Sequence, residues 1–154
     1  MNRRALLSAL QTALREASGM SVLFSQAMSA RLGINSTDLE CLDYILLRGP
    51  LTAGALAQAA GLTSGAITGV VDRLERAGFA HRERDEADRR KVLVRAAPDV
   101  QHRVGPLSAP MSRAMDETMA AYDDAELALL LDFLKRARAA SERAMAELAG
   151  REGR

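Results

Sequence analysis

Cysteine and histidine are scarce in this chain of 154 residues, and their scarcity removes several classes of site. The single cysteine, Cys41, excludes an internal disulfide and a zinc site built from several thiolates. The two histidines, His81 and His102, stand at no recognisable zinc-ligand spacing. The chain also lacks the motif of a nucleophile–histidine–acid triad and a glycine-rich phosphate loop. We therefore expect neither an enzyme nor a bound cofactor.

Long apolar runs are missing as well. No stretch approaches the roughly 20 apolar residues that a helix needs to cross a bilayer. Met1 to Arg4 lead into a polar, amphipathic stretch rather than into the apolar segment of a signal peptide. These features predict a soluble, cytoplasmic chain without a membrane partner. The length and the even composition favour one domain over residues 1–154.

Net charge is nearly zero, with 21 lysines and arginines against 20 aspartates and glutamates. The distribution of charge is more informative than the sum. From Arg73 to Arg95 there are eight basic residues against five acidic ones, whereas no residue from Gly49 to Val71 is charged. Positive charge is therefore concentrated just after an uncharged segment.

Apolar residues recur at helical spacing near the N-terminus and predict a long amphipathic helix over about Arg3 to Leu32. Its apolar face consists of Leu6, Leu10, Leu14, Ala17, Phe24 and Met28. A second helix is predicted to begin in the segment Asn35 to Asp38, which is rich in capping residues, and to end at Gly49 and Pro50.

Two shorter helical patterns follow, separated by a corner of three residues. Thr52 is placed to cap the first, which ends at Gly61, and Thr63 or Ser64 is placed to cap the second, which ends at Gly78. This arrangement matches a helix-turn-helix, whose second helix enters the major groove of DNA. Small or hydroxyl-bearing residues surround the start of that helix and are predicted to approach DNA: Thr63, Ser64, Gly65, Ala66, Thr68 and Gly69.

Two strand-like segments, residues 79–82 and 92–95, flank a highly charged tip from Arg84 to Lys91. They predict a β-hairpin, or wing, although the pattern does not show which of its faces is covered. Together with the helix-turn-helix, a basic hairpin predicts binding across a DNA duplex.

Long-range attraction to DNA must come from basic residues outside the uncharged helix. We predict that Arg89 or Arg90 enters the minor groove and that Arg84 and Lys91 contact phosphates. Arg73 is a further candidate, with a structural ion pair as the alternative that the sequence leaves open.

The C-terminal third predicts two more helices. The first runs from about Pro98 to Tyr122 and contains Pro106 and Pro110, which should bend it. A capping-box-like segment, Asp123 to Glu126, opens the second, whose apolar face continues for roughly six turns. Such a face needs a partner surface.

With these elements in place, the chain resembles the MarR-type (multiple antibiotic resistance regulator) family of winged helix-turn-helix regulators over nearly its full length. The most specific element is the charged tip followed by apolar strand residues, shortly after Gly78. The segments that carry the resemblance are Leu51 to Ala57, Gly61-Leu62, Val70 to Phe79 and Asp85 to Lys91. One departure is the segment Ala96 to Val100, which replaces the family's usual Leu-Thr-x-x-Gly after the wing.

The resemblance implies a mainly α fold with a small β-wing and long dimerisation helices at both ends. It divides the chain into dimerisation helices over residues 1–34 and 98–154 and a winged helix-turn-helix lobe over residues 35–97. It also implies an obligate homodimer that binds a pseudo-palindromic operator in double-stranded DNA. Within the wing tip, it implies that Asp88 is held inward by an arginine.

Relatives of this kind often bind small aromatic or anionic effectors, for which Phe24, Met28 and Tyr44 are candidate contacts. The favoured hypothesis is a repressor released by such an effector, and binding without any effector is an alternative. The sequence also leaves open a redox sensor that uses Cys41 and a winged-helix module that binds protein instead of DNA. Acidic residues around Cys41 disfavour a reactive thiolate and predict a buried, inert side chain.

Overall fold

A computed structural model of the protein describes residues 2–152. The described chain contains six helices and three strands, which confirms the predicted, mainly helical fold with a small wing. Two compact units are formed, one ending at Ser108 and one beginning at Ala109. In chain order the elements are α1 (Arg3–Leu32), α2 (Ser36–Arg48), β1 (Leu51–Thr52), α3 (Ala53–Ala60), α4 (Ser64–Arg76), β2 (Ala80–Arg84), β3 (Val92–Ala96), α5 (Val100–Met119) and α6 (Asp124–Glu152).

Local side-chain caps set the starts of the helices in the first unit. The side chains of Asn35, Thr52 and Thr63 each accept a hydrogen bond from the amide three residues later, at 2.8, 3.2 and 3.2 Å. Each bond satisfies an amide that has no partner within the first turn of its helix. Gly61 ends α3 with a φ of 66°, a left-handed conformation that glycine adopts without a Cβ clash. The predicted caps and helix end are confirmed.

The core of the first unit lies between α2, α3, α4 and the sheet. On α4 the predicted apolar stripe is buried, with Ile67, Val70, Val71 and Leu74 at most 2% exposed. Phe79 follows the end of this helix and is also fully buried. Close packing of these side chains fixes α4 rigidly to the lobe.

The sheet is antiparallel, with β3 between β1 and β2. Val94 of β3 pairs with Leu51 on one side and with Arg82 on the other. Val94 is 1% exposed and faces the core, whereas Val92, nearer the tip, is 48% exposed. The structure thus settles which face is covered, and it shows that the wing extends beyond the core.

Both terminal segments expose much of their apolar surface. In α1 the leucines Leu6, Leu10 and Leu14 are 45%, 53% and 43% exposed, and the buried residues of the helix, Met28 and Ser29, lie near its C-terminus. In the second unit α6 begins with the predicted capping box, in which Asp123 and Glu126 exchange two hydrogen bonds of 2.9 Å. Seven of its large apolar side chains are likewise exposed: Leu129, Leu130, Leu131, Phe133, Leu134, Met145 and Leu148.

Helix α5 differs in length from its prediction. It spans Val100–Met119 and continues through Pro106 and Pro110 without a break, although each proline removes a backbone donor. The boundary between the two units falls between these prolines. The described helix is therefore shorter at both ends than the predicted range from Pro98 to Tyr122.

Candidate nucleic-acid interface

Helices α3 and α4 meet at 106°, within the range of roughly 90–120° that helix-turn-helix motifs show. The corner is closed by the amide of Leu62, which donates to the carbonyl of Ala57 at 2.9 Å. Among residues 2–152, no single helix is long and apolar enough to cross a membrane. Only when α3 and α4 are taken together do their length and composition reach that limit, and the two helices are bent by 106° at the corner. The apolar side chains of the pair belong to the core, so the corner presents the start of α4 outward.

The exposed start of α4 carries no charge. Ser64, Gly65, Ala66 and Thr68 are exposed, whereas Ile67 between them is buried. The hydroxyl of Thr68 donates to the carbonyl of Ser64 at 3.0 Å, which leaves its oxygen able to accept. A Cβ added at Gly65 would meet no atom within 4 Å, so the backbone here is open to close approach. This surface has the shape and hydrogen-bonding capacity to enter a major groove.

Arg73 is a predicted DNA contact, with a structural ion pair as the alternative, and the structure shows such a pair. Its Nε and Nη2 atoms donate to Asp38 at 2.9 and 2.7 Å, in a two-pronged pair with a carboxylate that is 2% exposed. These hydrogen bonds raise the pKa of Arg73 above its usual value. Gly69 lies beside this pair, since a Cβ there would come within 3.4 Å of Nη1 of Arg73. This pair ties α4 to the first turn of α2 and favours the structural role for Arg73. Its side chain is 42% exposed, and contact with DNA stays a prediction.

The acidic residues of the wing tip are held by the tip itself. Asp85 accepts from the amide of Ala87 at 2.9 Å, and Asp88 accepts from the amide and Nε of Arg90, both at 3.2 Å. The Asp88 side chain is 29% exposed, whereas that of Arg90 is 92% exposed. The carboxylates are thus turned toward the hairpin, and the arginine extends into solvent.

The basic residues of the wing divide into two groups. Arg82 and Arg95 are engaged in ion pairs with acidic side chains of the lobe. Arg84 and Arg89 make no ion pair within residues 2–152, and Lys91 lies 3.9 Å from Asp88. The predicted DNA-contacting residues of the tip therefore remain available to phosphates.

Two acidic residues on α4, which the sequence did not single out, anchor the wing. Glu75 accepts from the backbone amide of Arg82 at 2.7 Å and pairs with its guanidinium, and Asp72 accepts from Nη2 of Arg82 at 2.8 Å. Because both lie on the helix that presents the uncharged surface, they fix the wing relative to that surface. The sequence signal for this anchor is a pair of acidic residues three positions apart on α4, just before a strand that carries arginines.

Arg103 of α5 is a second functional candidate that the sequence did not reveal. Its Nη1 atom donates to the carbonyls of Ala77 and Gly78, each at 3.1 Å, and its guanidinium lies 3.6 Å from the ring centroid of Phe79. Free carbonyls at a helix end favour such a cation, and the aromatic face adds to the attraction. Arg103 thus connects α5 to the end of α4.

A cavity of about 420 Å³ lies in the first unit and is lined partly by Phe24 and Met28, two of the predicted effector contacts. Tyr44, the third, is not among its lining residues; Arg48 lies 4.8 Å from the centroid of the Tyr44 ring. The reason is helical geometry, because Leu39, Asp43 and Leu46 form the face of α2 that lines the cavity, at spacings of four and three. Tyr44 therefore lies outside this cavity, and its contact with an effector stays a prediction.

Cys41 is fully buried in the lobe. Burial, together with the negative charges of Glu40 and Asp38, raises the pKa of its thiol to about 11, and Arg73 offsets this only in part. At neutral pH the sulfur is therefore a protonated thiol, the unreactive form. This environment argues against the redox-sensor alternative.

The comparisons with known proteins agree with this geometry. The MarR family model matches residues 34–92. The chain is 38% identical over 117 residues, 76% of each chain, to the uncharacterized HTH-type transcriptional regulator YcgE of Bacillus subtilis (strain 168). It is similar in fold to a MarR family protein from Bacillus stearothermophilus, with a TM-score of 0.67 and 22% identity over 92% of this chain and 99% of the other.

A second solved structure of similar fold contains a bound oligodeoxyribonucleotide. It is a MepR variant from S. aureus bound to an oligodeoxyribonucleotide, with a TM-score of 0.57 and 16% identity over 85% of this chain and 96% of the other. At these identities both structures establish the fold alone. The 38% identity to YcgE over three quarters of both chains, with the family match over the lobe, establishes the relationship. The chain belongs to the MarR family of transcriptional regulators.

Proposed function

We propose that the protein is a homodimeric repressor that binds a pseudo-palindromic operator in double-stranded DNA and is released by a small organic effector in the cytoplasm. The observation that carries this proposal is the pairing of two surfaces on one rigid lobe. The uncharged start of α4 is shaped for a groove, and the exposed cations of the wing tip are placed to bind phosphates.

The ion pairs of the lobe support separate roles for α4, which would contact base edges, and for the wing tip, which would attract the phosphates of DNA. Glu75 and Asp72 hold Arg82 and so fix the distance between α4 and the wing. A fixed distance lets one lobe engage two neighbouring grooves at once. The MepR variant, a similar fold, is bound to an oligodeoxyribonucleotide, which favours DNA over protein as the partner. A protein-binding winged helix would have little use for a tip of exposed arginines.

DNA binding is tested by fluorescence anisotropy with a labelled duplex from the region upstream of the protein's own gene. Affinity is expected to fall steeply with salt, by roughly 0.9 log units per neutralised phosphate for each tenfold rise in salt. A duplex of scrambled sequence is the control and should bind at least tenfold more weakly at physiological salt. Equal affinity for both duplexes, or none for either, would contradict sequence-specific binding.

Homodimer formation is proposed from the exposed apolar faces of the terminal helices. Leu10 on α1 and Leu130 and Leu134 on α6 are between 41% and 57% exposed. They belong to faces that repeat every three or four residues over many turns, which scattered surface leucines do not do. A second copy of the chain would cover both faces by two-fold symmetry.

The interface is tested with two matched substitutions on the same helix. Leu134→Ser lies on the proposed interface face, and Leu129→Ser lies on the opposite side of α6 and is 69% exposed. We expect Leu134→Ser to raise the dimer dissociation constant at least tenfold, since symmetry removes two buried leucines at about 1.5–3 kcal/mol each. Sedimentation equilibrium would measure this, with Leu129→Ser unchanged. A wild-type chain that sediments at 16.6 kDa at micromolar concentration would exclude the dimer.

A further inference from the structure

The cavity of the first unit is large enough for a small organic molecule. Its volume of about 420 Å³ falls within the roughly 300–1,000 Å³ that ligand pockets occupy. Helices α1, α2 and α5 contribute its walls, so a ligand there would touch α5 close to Arg103, the residue that caps α4. A bound molecule is therefore in a position to influence the DNA-binding lobe.

The wall of the cavity has five polar residues, and the one charged residue among them is acidic. Most of the lining is apolar, with Phe24, Met28 and Val104 among its members. The polar groups are three serine hydroxyls, one amide and one carboxylate, contributed by Ser21, Ser25, Ser108, Gln101 and Asp43. None of the described residues that line the cavity is an arginine, lysine or histidine. An organic anion would therefore find no cation to bind.

Asp43 is an exposed residue that borders the cavity, and it differs in this from the paired acidic residues of the first unit. Asp38 is paired with Arg73, and Glu75 is paired with Arg82. Asp43 has no ion-pair or side-chain hydrogen-bond partner within residues 2–152. Partial loss of solvation by neighbouring atoms, and then the charge of Glu40, raises the pKa of Asp43 above its usual value. A positive group beside this carboxylate would favour its ionised form and so offset both effects.

We infer that the cavity selects a small organic cation with an apolar body, whose charge is placed beside Asp43. The apolar wall would bury the body of the ligand, the serines and Gln101 would accept or donate secondary hydrogen bonds, and the ring of Phe24 offers a face that attracts cations. This inference rests on the proposed effector control and names the ligand class. It favours a cationic effector over the anionic one that the sequence-based expectation includes, and it is compatible with an aromatic body.

Three naphthalene probes that differ in charge test the inference: 1-naphthylmethylamine as the cation, 1-naphthalenemethanol as the neutral form and 1-naphthoate as the anion. The chain has no tryptophan, so naphthalene fluorescence can be followed in titrations of the full-length protein. We expect the cation to bind at least tenfold more tightly than the anion, because attraction to a carboxylate becomes repulsion.

Two neutralising variants locate the origin of the preference. Asp43→Asn keeps the shape of the side chain and should reduce the preference to about twofold or less. Glu40→Gln, a neighbour that does not line the cavity, should retain most of it. A preference for the anion, no preference in the wild type, a preference that survives Asp43→Asn, or no binding of any probe at millimolar concentration would overturn the inference.

DNA binding is measured in parallel, so that failure of the ligand inference can be distinguished from failure of the proposed DNA-binding function. Asp43→Asn lies outside the proposed DNA surface and should bind the upstream duplex as the wild type does. Loss of cation selectivity together with retained DNA affinity in this variant supports the cavity assignment. Wild-type protein that selects the cation without binding DNA would retain the inferred ligand class and remove the proposed regulatory role.

Discussion

Arg73→Ala is expected to lower the free energy of unfolding by about 3–5 kcal/mol, because it leaves the carboxylate of Asp38 buried without a partner. That carboxylate is 2% exposed, and Arg73 supplies the guanidinium that compensates its charge. A loss of this size is a large part of the stability of a small domain. Urea unfolding followed by far-UV circular dichroism would measure it.

Two further variants separate this structural role from contact with DNA. Arg76→Ala removes an equal charge from the end of the same helix, where the arginine side chain donates only to a backbone carbonyl, and should change stability by about 0.5 kcal/mol or less. Asp38→Asn, added to Arg73→Ala, should recover part of the loss because it removes the unpaired charge. Unchanged stability with reduced DNA affinity in Arg73→Ala would contradict the structural role and support the predicted contact of Arg73 with DNA.

The elements that could be predicted from the sequence are those fixed by neighbouring residues. Asn35, Thr52 and Thr63 cap amides only three positions away, and Gly61 ends α3 through its own backbone conformation. The apolar stripe of α4 is equally local, because helical periodicity decides which of its side chains share a face. For this reason the helix-turn-helix and the position of the wing were predicted closely.

The partners of charged residues could not be predicted in the same way. Arg73 and Asp38 are separated by 35 positions, and Arg103 reaches Ala77 across 26. A sequence with 21 basic and 20 acidic residues permits many pairings, and burial selects among them. The choice between a structural and a DNA-binding arginine therefore required the packing of α2 against α4.

The candidate ligand residues illustrate a finer limit. Phe24 and Met28 line the cavity. On α2, Asp43 lines it too, whereas the adjacent Tyr44 does not. Adjacent positions on a helix point about 100° apart, so an aromatic side chain next to the correct position is directed elsewhere. An amphipathic pattern identifies the inner face of a helix without showing which part of that face borders a void.

The observed ion pairs separate the basic residues of the wing strands, which are paired with acidic side chains, from those of the tip. Arg82 and Arg95 hold the strands of the wing to α4 and to each other through Asp72, Glu75 and Glu83. Their charge is therefore largely compensated within the lobe. We propose that attraction to DNA comes from the residues of the tip, where the Arg90 side chain is 92% exposed.

Replacing two of those residues together, in the variant Arg89→Ala/Arg90→Ala, should weaken operator binding by about 10²–10³-fold. A dimer presents two tips, so the variant removes up to four phosphate or minor-groove contacts, and the slope of log affinity against log salt should fall by about 2–4. Stability should change little, because the Arg90 side chain is 92% exposed and Arg89 makes no ion pair within residues 2–152.

The matched control is a pair of arginines in the second unit, Arg136→Ala/Arg143→Ala. Both are exposed, and helical spacing places both on the side of α6 away from Leu130 and Leu134. This variant changes the net charge of the protein by the same amount, so a general electrostatic effect would weaken DNA binding in both variants equally. A reduced salt slope in the wing variant alone would show that the contacts are made at the tip. An unchanged slope in the wing variant would remove the wing from the DNA-binding surface and leave the start of α4 as its only element.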